Sequence, residues 1–170
     1  MKKYIFALFL SLIFSGAALA DSASYSSTNA GGTSWTRPFA DGTCCSGLGP
    51  VLLHEEQFTV SSDDVCSISS VQSGYDGYLF VYTDTFDPLN QTVNFLAGDD
   101  DGSGGIGTSD IENVSLQANT TYRVVTTGFE NGGVGDFTNT ITCPTAQVRL
   151  GPPPVAVTPV PTLGEWALIL

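Results

Sequence analysis

From Ser22 to Thr145 the chain alternates short runs of β-branched and aromatic residues with clusters of Gly, Asp, Asn and Ser. No stretch keeps apolar residues at helical spacing over ten positions. Seven runs read as strands: Glu56–Val60, Val65–Val71, Tyr78–Thr83, Thr92–Ala97, Ile111–Leu116, Thr121–Thr127 and Phe137–Cys143. Alternation is sharpest in the third, where Tyr78, Phe80 and Tyr82 point to one side and Leu79 and Val81 to the other. Tyr122 and Val124 oppose Val125 in the same way. Turn signals separate the runs, at Ser73-Gly74, Asp87-Pro88, Asp101 to Gly107, Asn119 and Asn131-Gly132-Gly133. Many short strands at regular spacing predict an all-β fold, an antiparallel β-sandwich or jelly roll of about seven to nine strands. The sequence shows no internal repeat.

Length and charge narrow the picture. A chain of 170 residues fits one domain. With 42% hydrophobic residues it has enough apolar material for a core, which rules out wholesale disorder. Five basic residues against 17 acidic ones give a net charge of −12. Loss of Lys2 and Lys3 with a leader takes it from −12 to −14. Such a surface repels phosphate backbones, so nucleic acid is excluded as a partner.

The two ends read as addresses. Residues 1–20 carry a basic start, an apolar run from Tyr4 to Phe14, and an Ala-x-Ala site at Ala18 and Ala20. These are the three parts of a secretory signal peptide, and cleavage after Ala20 makes Asp21 the new amino terminus. The sandwich is expected over 21–150. A Pro-rich spacer follows over 151–161, with Pro152, Pro153, Pro154, Pro159 and Pro161 favouring an extended chain. Residues 160–170 then read Val-Pro-Thr-Leu-Gly-Glu-Trp-Ala-Leu-Ile-Leu. Pro161, Thr162, Leu163, Glu165 and Trp166 resemble the start of the IPTL-type carboxy-terminal sorting signal of Gram-negative bacteria, with Val160 and Gly164 departing conservatively. In that family a membrane-spanning helix and an Arg-rich end follow, so the chain is expected to be truncated. The resemblance implies export to the periplasm, outer surface or exterior of a Gram-negative bacterium. It also implies partnership with envelope sorting and processing machinery, and membrane contact only through the missing helix.

A second resemblance covers roughly Trp35 to Ile141. Tyr75-Asp76-Gly77-Tyr78-Leu79-Phe80-Val81-Tyr82 is followed by Leu96-Ala97-Gly98-Asp99-Asp100-Asp101-Gly102 and the closing Gly135-Asp136-Phe137-Thr138-Asn139-Thr140-Ile141. This order resembles the bacterial pre-peptidase C-terminal domain and its exported relatives, which also carry a Trp-x-Arg-Pro near the start, matched by Trp35, Arg37 and Pro38. That domain usually trails a peptidase, and no catalytic domain accompanies it in this sequence, so the likeness implies fold and export rather than hydrolysis.

Four cysteines, Cys44, Cys45, Cys66 and Cys143, fall in the expected mature region, and an even count in an oxidising compartment reads as two disulfides. Cys66 shares a face with Ile68, and Cys143 with Ile141 and Phe137, which favours a Cys66–Cys143 bridge in the core. Cys44 and Cys45 are then left as a vicinal pair; the competing solution crosses one of them to each of Cys66 and Cys143. The spacing lacks a C-x-x-C pair, so bridging is favoured over zinc.

Candidate chemistry is sparse. Asp99, Asp100 and Asp101, with Asp110 further on, make an acidic Gly-rich loop whose hard oxygens suit Ca²⁺. Asp76, at a strand start, is expected to be carried toward Asp99 and Asp101. The competing reading is that these carboxylates close Asx-turns. The EF-hand pattern is absent. His54-Glu55-Glu56 lacks the second His of a zinc protease, and no nucleophile-elbow sequence surrounds any Ser, so His54 is read as an exposed loop residue. Tyr75, Tyr78, Phe80, Tyr82 and Phe86 form an aromatic group that either packs or stacks on a sugar or protein. Asn90, Asn113 and Asn119 head glycosylation-type triplets that read here as turns. These observations predict a non-catalytic exported module that binds or builds surface structure, with Ca²⁺ as its one candidate cofactor. A carbohydrate-binding or glycan-active accessory module is the alternative.

Overall fold

In the computed structural model, residues 21–152 are described. Ala18 and Ala20, the linker beyond Pro152, and Pro161, Thr162, Leu163, Glu165 and Trp166 lie outside the described residues. Ten strands and no helix occur among the described residues. They are β1 (Asp21–Thr28), β2 (Thr33–Trp35), β3 (Val51–Val60), β4 (Asp64–Gln72), β5 (Gly77–Thr83), β6 (Phe95–Asp99), β7 (Thr108–Leu116), β8 (Thr121–Gly128), β9 (Asp136–Cys143) and β10 (Val148–Leu150). One sheet has the order β1-β9-β4-β7; the other runs β10-β3-β8-β5-β6, with β2 also on β3. Every pairing is antiparallel. The all-β sandwich is therefore the fold of this chain.

Alternation builds the interior. Phe58, Val60, Leu79, Val81, Tyr122 and Val124 of the larger sheet meet Cys66, Ile68, Ile111, Leu116 and Ile141 of the smaller one. Burying such side chains contributes about 1.5–3 kcal/mol each. The odd and even residues of β5 diverge as the sequence pattern requires, yet neither set reaches solvent. Tyr78, Phe80 and Tyr82 join Trp35, Val51, Leu53 and Val125 in a second core on the far face of the larger sheet. Segment 36–50 and the loop after β5 cover it: Phe86 packs edge-on to Trp35 at 5.3 Å between centroids, and Arg37 lies over Tyr78.

Three strands escape the sequence reading. β1 offers only Ala23 and Tyr25 as apolar residues, and β2 and β10 have three residues each. β3 begins at Val51 rather than Glu56. The expected strand Thr92–Ala97 starts instead at Phe95, because Asn94 takes a left-handed φ of 62° and its Nδ2 donates to Thr85 O at 3.0 Å, ending a turn. Asn113 and Asn119 also sit at positive φ (58° and 59°), Asn113 at the β4–β7 register shift and Asn119 in the turn before β8.

The core disulfide joins Cys66 to Cys143, with Cα atoms 4.4 Å apart on neighbouring strands β4 and β9. Cys44 and Cys45 bond to each other in the covering segment.

Candidate metal centre

Asp76 closes the turn before β5, while Asp100 and Asp101 follow β6. Because β5 and β6 pair antiparallel, with Leu79 opposite Asp99, the start of one strand lies beside the end of the other. The pairing brings one carboxylate oxygen from each of Asp76, Asp100 and Asp101 within 4.8 Å of the others. That is a spacing from which three oxygens can share one cation.

The expected five-Asp set separates into two groups. Asp99 Oδ2 accepts the Asp110 backbone N–H at 2.7 Å, and Asp110 Oδ2 accepts from Ser103 N at 2.9 Å and Ser103 Oγ at 3.1 Å. These two carboxylates tie the β6–β7 loop across 11 and 7 residues rather than closing local Asx-turns, and they stand outside the three-residue group. A second acidic group, Asp64 with Cys66 and Cys143, offers no metal chemistry because both sulfurs form the core disulfide. Asp64 Oδ2 instead accepts from Thr145 N, Thr145 Oγ1 and Ala146 N, which holds its carboxyl down at about 2.

Electrostatics mark Asp76 and Asp100. Burial, then the charges of Asp101 and Asp76, push the Asp100 carboxyl up to about 6. Asp76 is raised by burial and by Asp101 and Glu130, with Arg37 acting in the opposite sense. Asp76 Oδ1 and Asp100 Oδ1 are both buried and accept no hydrogen bond. Arg37 is the nearby fixed cation, 2% exposed. It is clamped between Tyr78 and Phe129, with Cζ 4.2 and 4.8 Å from the ring centroids, and its Nε donates to Phe129 O at 2.8 Å. Arg37 therefore offsets part of the acidic charge without forming a direct ion pair; among the described residues the salt bridge is Arg123–Glu55. Sequence reading noted Arg37 only inside a motif; its placement under two rings carries no local signal.

The other expected site residues fall elsewhere. His54 is not a loop residue. It lies in β3, half-buried against Tyr25 and Phe137 at the seam between the sheets, with Ser27 Oγ 3.2 Å from its Nδ1. Its Nε2 is buried without a partner, and burial lowers its pKa. Tyr78, Phe80 and Tyr82 are core residues, so those three rings present no face to a sugar.

No family model matches the chain, and no curated protein matches it.

Proposed function

We propose that the chain is an exported, non-catalytic β-sandwich module of a Gram-negative envelope, acting by binding or by building surface structure, and that calcium held by Asp76, Asp100 and Asp101 stiffens one end of it. Two buried carboxylate oxygens without a donor, on two of three aspartates whose oxygens lie within 4.8 Å of one another, carry the cation part of this reading. Calcium fits better than zinc because the donors are all hard oxygens. The non-catalytic part rests on the setting of His54. Its one hydrogen-bond partner is Ser27, and its buried Nε2 bonds to no carboxylate that would orient the ring as a base. The signal-peptide pattern and the IPTL-like segment support export and sorting, and the core disulfide suits an oxidising compartment.

Thermal melting of the mature chain with 1 mM-scale Ca²⁺ and with chelator tests the cation. A higher Tm in calcium is expected, and identical melts overturn it. A polysaccharide pull-down alongside a hydrolase panel tests the rest: retention on a glycan supports the carbohydrate-binding alternative, and turnover of any substrate overturns the non-catalytic reading.

A further inference from the structure

The chain has seven asparagines, and Asn131 is the one followed by glycine. The other six are held or crowded. Asn29 and Asn139 are fully buried with their amides hydrogen-bonded. Asn90 Nδ2 donates to Asp87 Oδ2, and Asn94 Nδ2 donates to Thr85 O. Asn113 and Asn119 precede Val114 and Thr120, whose β-branched side chains stand beside the peptide nitrogen.

Asn131 is exposed in the β8–β9 loop. There Gly133 N donates to Glu130 O at 3.0 Å, and Gly132 takes a φ of +92°. Residues 130–133 therefore form a β-turn of the type II kind, with glycine at the third position. The central peptide of such a turn stays out of the turn's own hydrogen bond. Asn131 N donates to Leu48 O at 3.1 Å, so of the three loop nitrogens it is Gly132 N–H that is left free. A Cβ on Gly132 would meet nothing within 4 Å, so the space around that nitrogen is open. The Asn131 side-chain amide makes no hydrogen bond among the described residues either, and it hangs from the adjacent Cα.

We propose that Asn131-Gly132 is a self-modifying site, whose asparagine converts to aspartate and isoaspartate and so loosens the covering segment 36–50. Gly132 N gives its proton to hydroxide and attacks Asn131 Cγ. The N–Cγ bond forms, the Cγ–Nδ2 bond breaks, and Nδ2 leaves as ammonia. Water then opens the five-membered imide at either carbonyl. Opening at the backbone carbonyl routes the chain through the former side chain and adds one carbon inside the turn. Intramolecular proximity drives the ring closure, so no enzyme or cofactor enters. The loop is a junction: Phe129 N donates to Asp76 O at 2.9 Å, Phe129 O accepts from Arg37 Nε at 2.8 Å, and Gly133 O accepts from Asn29 Nδ2 at 3.0 Å. A longer turn displaces the tether to Leu48, and the new carboxylate stands next to Glu130, where like charges repel.

Peptide mapping by mass spectrometry tests the chemistry on the mature chain, folded and denatured, aged in mildly alkaline buffer. Asn131→Gln is the control, because its longer side chain closes a six-membered ring far more slowly. Folded wild type should convert Asn131 within about tenfold of the denatured rate, since the fold leaves both reacting groups free, while Asn29 and Asn139 stay intact. The rate should rise about tenfold per pH unit, being first order in hydroxide. A folded chain that keeps Asn131 while the denatured chain converts it overturns the proposal, as does faster conversion at another asparagine. Chymotrypsin reads the consequence at Phe39 and Leu48, both exposed in the covering segment. Aged wild type should be cut there several-fold faster than fresh protein, and aged Asn131→Gln no faster. Converted protein that is cut at the fresh rate overturns the loosening.

Discussion

Replacing Cys66 and Cys143 together by alanine removes a cross-link that closes a 77-residue separation between adjacent strands. In the chain-entropy description such a loop restricts the unfolded ensemble by about 4–5 kcal/mol at 25 °C. The transition entropy of a domain spanning 21–152 is roughly 0.28 kcal/mol/K, so the variant should melt about 15 °C below wild type. Replacing Cys44 and Cys45 together offers a control with the same chemistry and a separation of one residue, which closes almost no loop. That variant should melt within a few degrees of wild type, since the small loss comes from the covering segment alone. Differential scanning calorimetry of the three proteins under non-reducing conditions reads both numbers. Equal shifts for the two double variants, or a core-disulfide variant within about 5 °C of wild type, would refute the assignment of long-loop closure to Cys66–Cys143.

Phe80→Ala should destabilise by about 3–5 kcal/mol in chemical denaturation, because the ring is buried between Trp35, Tyr78 and Phe95; a near-neutral effect would mean that the second core is not closed. Asp100→Asn should raise Tm in chelator, by removing a part-buried charge beside Asp76 and Asp101, and should abolish the calcium-dependent rise; retention of that rise would exclude Asp100 as a ligand. Acid should act in two stages on the cation-free protein. The Asp100 carboxyl is raised in the fold, so the folded chain holds its proton more tightly; stability from this group is greatest below its unfolded value of 3.8 and declines as pH rises through about 6. The Asp64 carboxyl is lowered, so its contribution is present above 3.8 and is lost as pH falls toward about 2. Melting in chelator from pH 2 to 8 should therefore peak near pH 4–5, and a flat profile between pH 4 and 7 would contradict the placement of Asp100.

Much of this fold is legible in the chain because half-buried strands impose a period of two. Tyr78 to Thr83 announces its strand, and the shared parity of Cys66 with Ile68 and of Cys143 with Ile141 anticipates the core disulfide. Other features follow from tertiary contacts and leave little local trace. β1 is Ser-rich, and its outward hydroxyls pair across to β9, as in Ser24–Thr140 and Ser26–Thr138 at 2.8 Å, so nothing apolar signals it. The burial of both faces of β5 depends on the long segment 36–50 folding back, which periodicity cannot report. At the acidic site, composition identified the carboxylates but not their partners. The five aspartates look alike in sequence; β5–β6 pairing and the loop hydrogen bonds sort Asp76, Asp100 and Asp101 from Asp99 and Asp110.

Amino-terminal sequencing and thiol titration of the protein recovered from fractionated cells of a Gram-negative host test the central claim most directly. The account predicts a chain outside the cytoplasm that begins at Asp21, the first residue of β1, with Cys66 and Cys143 oxidised. A cytosolic chain that still begins at Met1 and carries free thiols would contradict it.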